Sequence, residues 1–161
     1  MGSHRLLWLR ALTDGLKEIT PANGYEHDLR GAVYRGRVRF GPETPVPFVT
    51  IVERLPEPGA PAPGPDRSGL ISDTWRLLVQ GFVDEDHENP TDPAYLLAAD
   101  VNRRIYRERE RGTFFGHRVP GVFVVEDILV ERTLVRPPDE TSNQAYFWSE
   151  LAVKVIEAAS I

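Results

Sequence analysis

The sequence predicts an α+β fold: a mostly antiparallel five-stranded sheet with two helices packed on one face, in the order α-β-β-β-α-β-β. Two periodicities and one pattern of connections predict it. Apolar residues recur at three-and-four spacing near the start of the chain and again over residues 93–111, the repeat of a helix with one buried face. Apolar and polar residues alternate over 34–40 and 73–83, the repeat of a half-buried strand. Strand-like segments follow one another across proline- and glycine-rich connections, which suits an α+β sandwich better than a βαβ array. With 161 residues the chain supports one core and is short for two, so residues 1–161 are expected to form a single domain.

Each element has its own signals. The first helix is expected over residues 3–19, with Ser3 as N-cap and Leu9, Leu12, Leu16 and Ile19 as its stripe; Pro21 ends it. A short loop beginning Gly24-Tyr25-Glu26-His27-Asp28-Leu29 then feeds a strand. Its positions Tyr34, Gly36, Val38 and Phe40 form a largely apolar face, while Arg35, Arg37 and Arg39 project from the other. Residues 48–55, bracketed by prolines, are apolar on both faces, as in a central strand covered on both sides. Residues 56–69 hold five prolines and three glycines and supply almost nothing to bury, so they form a long loop. The third strand, 73–83, turns Trp75, Leu77, Val79 and Val83 to one side and Arg76 and Gln80 to the other. A second helix should start at Asp92-Pro93, as N-cap and first helical residue, and stop by Gly112, burying Ala94, Leu97, Ala98, Val101 and Ile105. Residues 122–135 and 145–157, joined by a turn-rich connection, read as an antiparallel hairpin.

Composition narrows the function classes. Hydrophobic content of 41% and charged content of 27% are those of an ordinary folded domain. A net charge of -5 argues against a dedicated nucleic-acid binder, which needs cations to neutralise phosphates. The absence of cysteine excludes disulfides and cysteine-ligated zinc. Arg10 and Asp14 interrupt the N-terminal apolar residues too early for a signal-peptide core, and no apolar run is long enough for a membrane span, so no membrane association is expected.

No nucleophile elbow, Walker loop, H-E-x-x-H or dinucleotide fingerprint occurs, and no cofactor, metal or catalytic residue is assigned. The acidic run Asp84, Glu85, Asp86, Glu88 around His87 has oxygen ligands but not the spacing of a calcium loop, and reads as solvated. Adjacent Glu26, His27 and Asp28 cannot readily all face one ion. Two charged constellations remain as contact surfaces: Arg35, Arg37 and Arg39, whose guanidiniums suit a carboxylate-rich partner or passing DNA; and Arg103, Arg104, Arg107, Arg109 and Arg111 at the end of the second helix, suited to intersubunit ion pairs. The 56–69 loop is either an excursion or an arm that docks on a neighbour. Tyr146 and Trp148 share a strand face opposite Phe147, Leu151 and Val153, and are exposed unless the first helix covers them.

The segment G-Y-x-x-D-L-x-x-x-V-Y-R-G-R at residues 24–37, and the leucine- and alanine-rich run Pro93-Ala94-Tyr95-Leu96-Leu97-Ala98-Ala99-Asp100-Val101, together with the element order, resemble the tail terminator (tail completion) proteins of long-tailed bacteriophages. The resemblance covers most of the chain. It implies a structural virion protein and no enzyme. Such proteins form a ring, typically a hexamer, that caps the head-proximal end of the tail tube, stops its polymerisation and offers a surface for head joining; a ring needs two complementary patches on each copy, for which the arginine-rich strand face and an acidic loop with Glu85 and Asp86 would serve. The implied partners are further copies of the chain, the major tail tube protein, and a head-completion or neck protein, with non-specific contact to DNA in the lumen also allowed. The implied location is the virion tail, after assembly in the bacterial cytoplasm. The long 56–69 loop and extended final hairpin set this chain apart from shorter members. Two alternatives stand beside this one: a head-completion or neck adaptor ring, and a small accessory enzyme or nucleic-acid-binding protein.

Overall fold

The structure, a computed structural model, describes residues 2–159. Its elements are α1 (His4–Leu16), a 3-10 turn (Pro21–Asn23), β1 (Val33–Arg35), β2 (Phe48–Glu53), β3 (Leu70–Val83), α2 (Asp92–Arg111), β4 (Phe123–Arg136) and β5 (Ala145–Ala158). The five strands form one mixed sheet in the order β1-β2-β3-β5-β4. Three of the pairings are antiparallel and β1 runs parallel to β2, so the expectation of a mostly antiparallel sheet is met in part. The reason lies in residues 36–47, which carry the chain back across the sheet before β2 begins, so the two strands are not joined as a hairpin.

Side-chain alternation decides what each face of the sheet meets. Trp75, Leu77, Val79 and Val83 of β3 and Phe147, Leu151, Val153 and Val155 of β5 are buried on one side. Both helices contribute to that core: Trp8, Leu12 and Leu16 from α1, and Ala94, Leu97, Ala98, Val101 and Ile105 from α2. Burying each large side chain contributes roughly 1.5–3 kcal/mol. Gly81 sits where the Phe147 ring crosses β3, and a β-carbon there would enter the ring.

Ser3 caps α1, its hydroxyl accepting from Leu6 N–H at 3.3 Å. The helix stops at Leu16 rather than at 19, because the N–H groups of Glu18 and Ile19 turn to carbonyls three residues back, those of Gly15 and Leu16. Ile19 is buried all the same. The stripe also includes Trp8, fully buried against Trp75 with ring centroids 5.7 Å apart, which the leucine spacing did not single out. At the start of α2 the N-cap is Thr91, which makes no side-chain cap bond, and the expected cap Asp92 is already helical; its charge still complements the helix dipole. No described helix is long and apolar enough to cross a membrane.

The largest correction falls on the first strand. β1 ends at Arg35, and Gly36 adopts φ +69°, a left-handed conformation that turns the chain out of the sheet. Residues 36–40 then fold over the sheet face that bears no helix. There the buried Thr50 hydroxyl donates to the Arg37 carbonyl at 2.9 Å, and Phe40 packs on Phe48 at 4.4 Å. β2 similarly ends at Glu53, short of 55. The 56–69 segment has no regular structure and is almost wholly exposed, as expected. The final hairpin pairs along most of its length, with two irregularities on β4, between Val125 and Asp127 and between Val130 and Arg132.

Candidate functional site

The two motif-bearing segments meet on α2. Asp100, mid-helix and 3% exposed, accepts from the backbone N–H groups of Glu26 and His27 at 3.0 Å each and from His27 Nδ1 at 2.7 Å. A buried carboxylate needs this much compensation. One turn along, Arg103 donates to the Gly24 carbonyl at 2.8 Å and Arg107 to that of Asn23 at 3.2 Å. Both guanidiniums lie over the Tyr25 ring, 4.9 and 4.7 Å from its centroid, an arrangement stabilised by the ring quadrupole. Tyr25 is thereby buried and the 23–27 loop is tied to the helix. Asp100, Arg103 and Arg107 share one helix side because they are three and four residues apart. Their loop partners are more than 70 residues away in sequence, so nothing local announces the contact.

Arg104 forms the floor beneath them. Its side chain is 6% exposed, and it donates to the Gly15 carbonyl at 2.9 Å, to Glu108 at 2.8 Å and to Glu18 at 2.7 Å, with its Cζ 5.2 Å from the Phe115 ring centre. Burial on its own would raise the Glu108 carboxyl; hydrogen bonds from Thr113, Arg104 and Phe115 N–H, with the Arg104 charge, bring it below its ordinary value. Phe114 and Phe115 both have positive φ, 45° and 65°. For bulky residues this is a strained conformation, held by a hydrogen bond from the Trp8 indole to the Phe114 carbonyl and by the fit of the Phe115 ring against Gly15.

A cleft of about 300 Å³ opens between these elements, lined by Glu18, Asn23, Tyr25, Arg104, Arg107 and Arg111. Arg104 has its donors committed. Arg111 is the loosest of the three cations, with its side chain 66% exposed and only a 3.9 Å approach to Glu108. Elsewhere on α2, Tyr95 (61%), Leu96 (48%) and Tyr106 (40%) are exposed. A solvated helix face is normally polar; tyrosine and arginine are the residue types enriched at interface centres.

The other sequence-predicted residues fall elsewhere. Arg109 pairs with Asp127 of β4 at 2.8 Å, and that hydrogen bond holds the Asp127 carboxyl below its usual range. Arg35, Arg37 and Arg39 are all exposed, with Arg37 placed over Tyr34 and Phe40, 4.7 Å from each centroid; because β1 ends at Arg35, the three do not form one strand face. Glu85 and Asp86 are exposed in the loop before α2, where Asp86 accepts from the N–H groups of Glu88 and Asn89 and shapes the turn. His27 is held by Asp100, and no group of three or more metal-ligating side chains is found among the described residues. Tyr146 is buried rather than exposed, stacked with Trp148 and Phe82 in an aromatic row that crosses the helix-free face to Phe48.

A second histidine site went unmarked in the sequence. His4 Nδ1 and His117 Nε2 approach to 3.2 Å over Phe123, and burial, with the neighbouring His4, lowers the His117 pKa. Neither a protein-family model nor a curated protein matches the chain.

Proposed function

We propose that this chain is a tail terminator: a structural protein that closes into a ring on the head-proximal end of a phage tail tube, stops further subunit addition and presents a surface for head joining. The observation that supports the reading best is the contact between its two motif segments. The 24–37 segment and the 93–101 segment carry the resemblance, and Asp100 of the second grips the loop of the first. Their spacing in sequence is therefore the spacing of one structural unit, with the GY loop clamped on α2. The role is mechanical. A ring needs two different complementary patches on each copy, and termination follows from covering the surface that the next tube layer would use.

Gold labelling tests the placement directly. In the phage or prophage that carries this gene, a tagged copy of the chain should place gold at the junction of head and tail, one cluster per particle. Gold along the tube, at the distal tip, or absent from purified virions would contradict the reading.

A further inference from the structure

The cleft and the acidic loop lie at opposite ends of α2, and their charges are opposite. At 1.5 Å per residue the 20-residue helix spans about 30 Å, so the 84–88 loop that precedes it cannot reach its own cleft at Arg107 and Arg111. We propose that the acidic loop of one copy enters the arginine cleft of the next, so that successive copies join head to tail. This rests on the ring reading and names the contact that would build it.

Three features favour a carboxylate-bearing second copy as the occupant. Arg107 and Arg111, one turn apart, are less committed than Arg104, and guanidiniums bind carboxylates with paired N–H donors. Asp84, Glu85 and Glu88 are exposed in the loop, with Asp86 holding the turn that displays them. Leu96, within about 20° of Arg107 around the helix axis, is exposed between the two charged ends and supplies apolar contact that ion pairs at an accessible rim do not. The contact is heterologous, cleft to loop, and so propagates in one direction until it closes. Glu18 on the cleft rim has a 64% exposed side chain and can yield its place to an incoming carboxylate.

The test uses two variants of the whole chain and sedimentation velocity at low salt. Arg107→Glu with Arg111→Glu reverses the cleft; Asp84→Lys with Glu85→Lys reverses the loop and leaves Asp86 in its turn. Each variant alone should remain monomeric where the unaltered chain assembles, with association weakened roughly tenfold or more. An equimolar mixture should assemble again, because every reversed cleft then meets a reversed loop and every native cleft a native one. Arg111→Glu alone, at the more exposed position, gives the same prediction in smaller measure if the double cleft variant loses its fold by circular dichroism. Variants that assemble like the unaltered chain, or folded monomeric variants whose mixture stays monomeric, overturn the contact while the ring reading stands. An unaltered chain that remains monomeric at every concentration and with tail tubes added overturns both.

Discussion

Two stretches of this chain, 35–39 and 103–111, are comparably rich in arginine and meet different fates. In the first, Gly36 ends the strand just after Arg35, and no regular repeat orders the residues that follow: all three arginines are exposed, and Arg37 covers two rings. In the second, helical periodicity sorts the residues by angle. Arg104 faces inward to Glu108 and Glu18, Arg103 and Arg107 flank Tyr25, Arg109 reaches β4, and Arg111 is left on the rim. Composition alone does not make a charged surface; a regular backbone that holds the charges at fixed angles does.

The largest effect is expected at Glu108. Glu108→Ala leaves Arg104 buried with its second carboxylate removed and Phe115 N–H without its acceptor, so unfolding in urea should show a loss of about 3–5 kcal/mol. A loss below about 1 kcal/mol would mean that the network is solvated. The same carboxyl gives a pH signature. Its pKa is lower in the folded protein, so its contribution is present above the unfolded carboxylate value of about 4.3 and is lost as pH falls through the folded value. Thermal melts should therefore show an acid decline that is shallower in Glu108→Ala; equal slopes would remove Glu108 from the account.

Gly15→Ala places a methyl against the Phe115 ring and should cost about 1–3 kcal/mol, with altered Trp8 fluorescence because Trp8 packs on the same ring. Arg37→Ala loses stacking on two partly exposed rings, and about 0.5–1 kcal/mol is expected in the same urea assay. Arg35→Ala and Arg39→Ala should lie within about 0.5 kcal/mol of the unaltered chain. A larger loss at either position would show that the 35–39 segment is organised after all.

Much of the fold was legible because its signals are local. The stripe Leu97, Val101 and Ile105, the alternation of Trp75, Leu77 and Val79, and the long final hairpin all lie where periodicity places them. The end of β1 was not legible, since Arg-Gly-Arg-Val-Arg-Phe alternates as a strand would and only the φ of Gly36 decides otherwise. The parallel pairing of β1 with β2 depends on the path of residues 36–47, which no local pattern encodes. At the site, the arginines were marked by composition, but Asp100 and Tyr25 were not: one resembles a solvated helix residue and the other a loop aromatic until the fold brings them together. A polar residue on a helix side otherwise turned inward, such as Asp100 beside Val101 and Leu97, is the signal that points to such a partner.

The most direct test of the termination reading is tail length. With the gene deleted from its phage or prophage, electron microscopy of lysates should show headless tubes of abnormal and variable length beside filled heads without tails. Tails of normal length, free of heads or joined to them, would contradict termination as the function.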